Sequence, residues 1–289
     1  MRVFRGCLVV AAVAVGALAR STAAGPERLG GWIVYWRESP IPSIWAVRPD
    51  GTRSHRILRT RQNAKRPRLS PDRRWVAFDG APPGEPPLSD FDIQIVRTNG
   101  RDRRTLTHST DWEINAQWSP DGQRLSFTRS PPSPVDCTDR TVWIMRRDGS
   151  DPQRVAEGCA ARWSPDGTKL IYVSPDSRSL LVIGTTGGTP QLLLSGAPPA
   201  SVKPAGWSPD GTKILFTRSS AANAPYVFVM NADGTRVRRL ARGIAGSWSP
   251  DGKKIVYTRT FWWGLFVMDA DGSHKRRVLA TQASEPDWR

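Results

Sequence analysis

The chain has 289 residues, a formal charge of +16, 38% hydrophobic residues, 25 glycines and 25 prolines. This length admits one large all-β or α/β domain or two ordinary ones, and the turn-residue content points to a core interrupted many times. Three cysteines and three histidines are too few and too scattered for a disulfide-dense scaffold or a zinc framework.

Residues 1–24 read as an export signal. Arg2 and Arg5 precede "CLVVAAVAVGALA", an apolar run of 13 residues from Cys7 to Ala19, with cleavage expected after Ala19 or Ala24. The run falls short of the roughly 20 residues that span a bilayer. The alternative is an uncleaved N-terminal anchor. No later segment approaches transmembrane length. Residues 25–30 form a short linker, and everything from 31 to 289 is repetitive.

The repeat begins incomplete. "GWIVYW" around Trp32–Trp36, then "IWAV", then "HRIL" supply a second, third and fourth strand with no first. Next comes "RLSPDRRWVAF", a degenerate copy of a motif that recurs as "QWSPDGQRLSF", "RWSPDGTKLIY", "GWSPDGTKILF" and "SWSPDGKKIVY". Trp118, Trp163, Trp207 and Trp248 are spaced by 45, 44 and 41 residues, and Leu69 holds the tryptophan place 49 residues before Trp118. In each copy a first strand ends at the tryptophan and "SPDG" turns the chain: proline presets φ, aspartate bonds nearby N–H groups, and glycine takes the positive φ. A second strand follows, apolar at alternate positions on both faces. A third strand ("IQIV", "VWIM", "LLVI", "VFVM", "LFVM") leads to a tight turn such as Asp148-Gly149 or Asp271-Gly272. A fourth ("RTLT", "QRVA", "QLLL", "RRLA", "RRVL") closes the unit. The chain ends in "SEPDWR", a first strand with nothing after it, whose Trp288 lies 40 residues beyond Trp248.

A tryptophan-marked period in the forties is the mark of propeller blades. The two incomplete ends complement each other, which predicts an all-β, six-bladed propeller of four-stranded antiparallel blades, closed by the C-terminal strand pairing beside the N-terminal ones. These repeats resemble those of the TolB-like, WD-like repeat propellers of bacterial envelopes. The resemblance covers residues from about 31 to 289. The N-terminal α/β domain that TolB carries ahead of its propeller has no counterpart among the residues preceding "GWIVYW", so the resemblance implies the propeller and not TolB's particular role.

No serine sits in a glycine-x-serine-x-glycine elbow, and His55, His108 and His274 form no i, i+4 pair. No catalytic residue, metal or cofactor is therefore assigned. Asp121, Asp166, Asp210 and Asp251 recur because their turn recurs, and Trp118, Trp163, Trp207, Trp248 and Trp288 are expected to pack between blades. Cys137 and Cys159 fall in connections that emerge on the same side of the ring, which predicts a disulfide between them.

Many basic residues, in "GTRSHR", "GRDRR", "GTRVRR" and "GSHKRR", fall at or just after the last turn of a unit, on its outermost strand, where charge guards against edge-to-edge pairing. "TRSHRILRTRQNAKRPR" goes further, with Arg53, Arg56, Arg59, Arg61, Lys65, Arg66 and Arg68 in the first outer strand and the following loop. It is a candidate anion patch. Trp36, Trp112, Trp262 and Trp263 lie in or beside connections opposite the "SPDG" turns and form a candidate partner surface; the rival is that they pack under those loops. The function expected is an exported, monomeric, non-catalytic binding module for a protein or an anionic envelope polymer, with no nucleic acid. The alternative is a propeller hydrolase or lyase with a metal at the channel mouth.

Overall fold

A computed structural model describes residues 31–37, 42–59, 64–81, 91–132, 137–196, 201–220, 223–259 and 264–289. Residues 1–30, expected to hold the signal and linker, together with Arg61, Trp262 and Trp263, lie outside them.

All regular structure among the described residues is strand, arranged as six four-stranded sheets. The first blade holds β1 (Ile33–Arg37), β2 (Ser43–Val47) and β3 (His55–Arg59). The second is β4 (Ala64–Leu69), β5 (Trp75–Gly80), β6 (Asp92–Arg97) and β7 (Arg104–Thr105). The third runs β8 (Trp112–Trp118), β9 (Arg124–Ser130), β10 (Thr141–Arg146) and β11 (Gln153–Glu157). The fourth comprises β12 (Cys159–Trp163), β13 (Lys169–Val173), β14 (Leu180–Gly184) and β15 (Gly187–Leu194). The fifth comprises β16 (Ser201–Trp207), β17 (Lys213–Ser220), β18 (Asn223–Asn231) and β19 (Arg238–Arg242). The sixth comprises β20 (Ile244–Trp248), β21 (Lys254–Thr258), β22 (Leu265–Asp269) and β23 (Arg276–Leu279). The last strand, β24 (Ser284–Trp288), joins the first blade in the order β24-β1-β2-β3.

The closure expected from the two incomplete ends is present. β24 runs antiparallel to β1 with Ile33 opposite Trp288 and Val34 opposite Asp287, and Trp32 and Arg289 exchange both backbone hydrogen bonds at 2.7 and 3.0 Å. One predicted strand is cut short. "RTLT" yields only Arg104–Thr105, because Thr107 turns inward: its hydroxyl donates to Asp92 and accepts from the Ile93 N–H.

Apolar residues on both faces of the middle strands are buried because each blade packs against two others. Trp75, Ala77, Ile93 and Ile95 of the second blade share one core with Trp118, Leu125 and Phe127 of the third. The repeated tryptophans add a directional bond to this packing. Trp118, Trp163 and Trp248 each send their indole N–H into the preceding blade, to the carbonyls of Arg68, Gln117 and Gly206 at 3.1, 3.1 and 3.4 Å. Each acceptor stands one residue before the tryptophan position of its own blade. Where Leu69 replaces tryptophan, the link runs in the same sense but with a main-chain donor and a side-chain acceptor, the Leu69 N–H donating to Asp287 Oδ2 of the first blade at 2.9 Å.

The "SPDG" turns are built alike. In the third blade Ser119 donates to Asp121, Asp121 accepts the Gln123 N–H at 3.0 Å, and Ser119 Oγ accepts the Arg124 N–H at 2.9 Å. Asp166, Asp210 and Asp251 make the same bonds. The Ser164 and Thr168 bonds hold Asp166 down to about 2. These aspartates are occupied by their own turns.

Cys137 and Cys159 are disulfide-bonded, with 22 residues of sequence separation. The bond ties the connection before β10 to the start of β12. Cys137 N–H also donates to Ser177 at 3.1 Å, in the connection after β13.

Two outcomes are expected in chemical denaturation. Trp118→Ala should cost about 3–5 kcal/mol, whereas Trp118→Phe, which keeps most of the packing and loses the indole bond, should cost about 1–2 kcal/mol. Reducing the disulfide should cost about 3 kcal/mol by the chain-entropy account; two thiols titratable without reductant would contradict the bond.

Candidate functional site: the loop-side mouth of the central channel

Six inner strands (β4, β8, β12, β16, β20 and β24) line the channel, each starting at the loop face and ending at the "SPDG" face. Every first strand is bulged against its second, with register shifts at Lys65/Arg68, Ile114/Gln117, Cys159/Arg162, Pro204/Gly206 and Ala245/Ser247, and in the β1–β24 pairing at Val34/Trp36. Three positions before the tryptophan place the backbone turns left-handed at Arg66, Asn115, Ala160 and Glu285, with φ of 54°, 62°, 57° and 52°. A non-glycine residue rarely adopts this conformation, and a bulge re-aims the side chain it carries. Here it brings Arg66 and Glu285 to one mouth.

That mouth is a cavity of about 480 Å³ lined by Trp36, Lys65, Arg66, Lys203 and Glu285 among others. Glu285 Oε1 lies 3.2 Å from Lys203 Nζ and 3.6 Å from Arg66 Nε, and Arg66 Nη1 lies 2.7 Å from the buried Asp79 carboxylate. Arg68 Nη1 donates to the Glu285 backbone carbonyl at 3.1 Å. Burial alone would push the Glu285 carboxyl up, but Lys203, Arg66 and Arg68 together hold it down to about 2. Asp79, fully buried, is raised by desolvation despite Arg66. Glu285 draws the Lys203 ammonium up, but burial and the nearby arginines outweigh it and leave it below the usual lysine range. Lys203 is 40% exposed, and that exposure faces the cavity.

The two described tryptophans of the candidate partner surface are joined through residues that the sequence did not connect. Lys65 Nζ sits 5.7 Å from the ring centres of both Trp36 and Phe91, and Phe91 meets Trp112 edge-on at 5.3 Å. Trp36 and Trp112 are half-buried, so part of each ring packs and part faces outward.

The run read as one basic patch is divided. Arg53, Arg56 and Arg59 are exposed at the outer strand of the first blade. Lys65, Arg66 and Arg68, placed by the sequence reading in the loop after that strand, stand instead on the innermost strand β4 of the second blade. The cause is the repeat itself: the strand ending at Leu69 extends back to Ala64 to pair with β5. The structure does not bring the two sets together.

A second buried carboxyl lies beside the mouth. Asp92 accepts from the Thr107 hydroxyl at 3.0 Å, and Glu113 is bound by Arg129 at 2.8 Å. Burial pushes Asp92 up to about 6, against the Thr107 bond and with help from the Glu113 charge.

A family model for the TolB beta propeller domain, PD40, matches residues 129–289. The chain belongs to the TolB β-propeller family. Among solved structures, this TolB-type propeller is similar to TolB of Acinetobacter baumannii, at 20% identity over 91% of this chain and 67% of that one, with a TM-score of 0.76. It is also similar to a putative TolB of Agrobacterium tumefaciens (16% identity, 86% and 88% covered, TM-score 0.63). A chain of the nidogen/laminin complex aligns at 12% identity over 90% of this chain and 98% of its own, with a TM-score of 0.69. An oligogalacturonate lyase crystallised with manganese aligns at 16% identity, over 75% of this chain and 68% of its own, with a TM-score of 0.53. A search of the curated proteins finds no match. At these identities the likenesses establish the fold alone. No helix among the described residues is long and apolar enough to cross a membrane, which leaves strand-built membrane proteins unaddressed.

Glu285→Gln leaves Arg66, Arg68 and Lys203 without their shared counter-charge and should destabilise by about 3 kcal/mol at neutral pH. A carboxyl whose pKa falls on folding contributes stability above its ordinary value of 4.5 and loses it as pH drops through about 2. The gap between wild type and Glu285→Gln in thermal melts should therefore narrow across that window. Asp92 has the opposite sign. Its raised pKa favours folding at low pH, and the contribution disappears as pH rises through about 6. Asp92→Asn should gain stability relative to wild type at pH 8 compared with pH 5, and equal differences at the two pH values would contradict this.

Proposed function

We propose that this TolB-type propeller is an exported, non-catalytic binding module whose loop-side channel mouth seats an acidic segment of a protein partner. The observation that carries this reading is the arc Trp36–Lys65–Phe91–Trp112 running beside the cavity that holds Lys65, Arg66 and Lys203. Half-buried aromatics next to cations on a rigid frame suit a partner that offers carboxylates flanked by apolar residues. The exposed arginines of the outer strands, Arg53, Arg56 and Arg59 foremost, would add a weaker attraction to anionic envelope polymers. Export rests on the signal-like residues 1–24 and on the family's association with bacterial envelopes.

The competing enzyme reading needs a cation at the mouth. The lyase neighbour was crystallised with manganese, but the donors here do not fit a divalent cation. Glu285, the carboxylate of the cavity, is already shared by Lys203 and Arg66, with the Arg68 charge beside it. Among the described residues no three histidine, cysteine, aspartate or glutamate side chains gather for a metal.

The test is capture from envelope extract by the mature chain at low and high salt. Lys65→Glu combined with Lys203→Glu should abolish capture of the principal protein partner while leaving a cooperative melt. Reversing Arg53, Arg56 and Arg59 should remove only salt-sensitive retention by anionic polymer. Undiminished capture by the Lys65/Lys203 variant would sink the mouth as the binding site.

A further inference from the structure

Deeper in the channel stand two buried arginines that contact only backbone carbonyls among the described residues. The residue just before each tryptophan, or before Leu69, contributes one member of a ring at a single level: Arg68, Gln117, Arg162, Gly206, Ser247 and Asp287. All but Arg68 line a cavity of about 360 Å³ that opens on the "SPDG" face. Arg162 is only 6% exposed. Its Nη1 donates to the carbonyls of Ala161 and Ala160 at 2.9 and 3.4 Å, and no ion pair to a carboxylate is formed among the described residues. Arg68, 7% exposed, likewise bonds only carbonyls, those of Pro67 at 2.8 Å and Glu285 at 3.1 Å. Gln117 Nε2 is buried and has no hydrogen-bond partner among the described residues.

The nearby carboxylates are already committed. Glu285 is taken by Lys203 and Arg66. Asp287, the carboxylate of the ring, accepts from the Leu69 N–H at 2.9 Å and lies 3.9 Å from Arg289. Elsewhere in the same ring stand Gly206 and Ser247, whose small side chains leave the space open. Desolvation, reinforced by the Arg68 charge, outweighs the more distant Glu285 and Asp287 carboxylates and lowers Arg162 to about 9, so the guanidinium still carries its charge at neutral pH. A buried guanidinium facing open space with no carboxylate in contact is costly, and an unpartnered amide beside it adds to that cost.

We propose that the channel binds an oxyanion, a phosphate or carboxylate group, held by the Arg162 guanidinium with Gln117 Nε2 as a second donor. A planar guanidinium fork matches either group, and in a partly dry channel such a bond is strong. Arg68 adds charge from the second blade, two blades from Arg162, without needing to touch the ligand. The site uses none of the loop-side residues proposed to seat a protein partner, so either proposal can fail without the other.

The experiment measures inorganic phosphate and acetate separately, by calorimetric titration and by melting, with chloride at matched ionic strength as control. Wild type should bind at least one of the two saturably and melt higher with it; which of the two binds assigns the source chemistry. Arg162→Met should weaken that binding at least about tenfold, the loss of one charge-assisted contact. Without added anion it should melt higher than wild type, because an apolar side chain replaces a buried unpaired charge. Arg162→Lys should retain weakened binding. The proposal is overturned if neither anion exceeds the chloride control, or if Arg162→Met binds as wild type does. It is also overturned if Arg162→Met melts lower than wild type without anion, which would mean that the protein already satisfies this arginine.

Discussion

The pairing of β24 with β1 is the constraint on which the rest of the molecule depends. A ring of blades has no free sheet edge at its seam only if the end of the chain returns to its beginning, and here that return is made by main-chain hydrogen bonds between Trp32 and Arg289 and through the β1–β24 ladder. The same short strand brings Glu285 and Asp287 into the channel. Glu285 meets the cations of β4 and β16, and Asp287 caps the Leu69 amide of the next blade. Chain closure and charge closure are thus one event. A propeller opened at this seam would expose an edge and leave Arg66, Arg68 and Lys203 facing one another.

Between blades the construction is repetitive and local. Trp118, Trp163 and Trp248 reach back one blade, each "SPDG" turn satisfies its own polar groups, and each pair of sheets encloses its own core. Much of the positive charge is absorbed in this frame. Arg48, Arg97, Arg124 and Arg129 lie over Trp32, Trp75, Trp163 and Trp143, with guanidinium carbons 4.2–4.9 Å from the ring centres. Such stacking buries the stem and keeps the head solvated. Among the described residues, the exposed outer-strand arginines and the channel are accessible to other molecules.

The channel is where a repeat scaffold becomes individual. At one level of the ring the six blades carry Arg68, Gln117, Arg162, Gly206, Ser247 and Asp287. Packing between blades does not require this mixture, which includes two arginines that make no direct ion pair with a carboxylate among the described residues. At the loop-side mouth the left-handed bulge directs Arg66 and Glu285 toward one cavity. Rigid strands hold both sets of side chains, so a ligand entering from either end would meet a surface already formed.

The periodic tryptophans, the "SPDG" and Asp-Gly turns and the complementary chain ends were enough to establish six four-stranded blades, their order and the closing pair, because these features act through local hydrogen bonding and alternating burial. The disulfide between Cys137 and Cys159 followed from knowing which connections share a face. The site was only half legible. The sequence marked Trp36, Trp112 and Lys65 as unusual but had no means of joining them through Phe91, which comes from another connection. It also read Lys65, Arg66 and Arg68 as continuous with Arg53, Arg56 and Arg59, although the first three stand on β4 at the axis and the others at the rim of the preceding blade. Residues adjacent along the chain can be separated by the width of a sheet, while Arg66, Lys203 and Glu285, far apart in sequence, converge. Ring closure decides that convergence, and no local pattern encodes it.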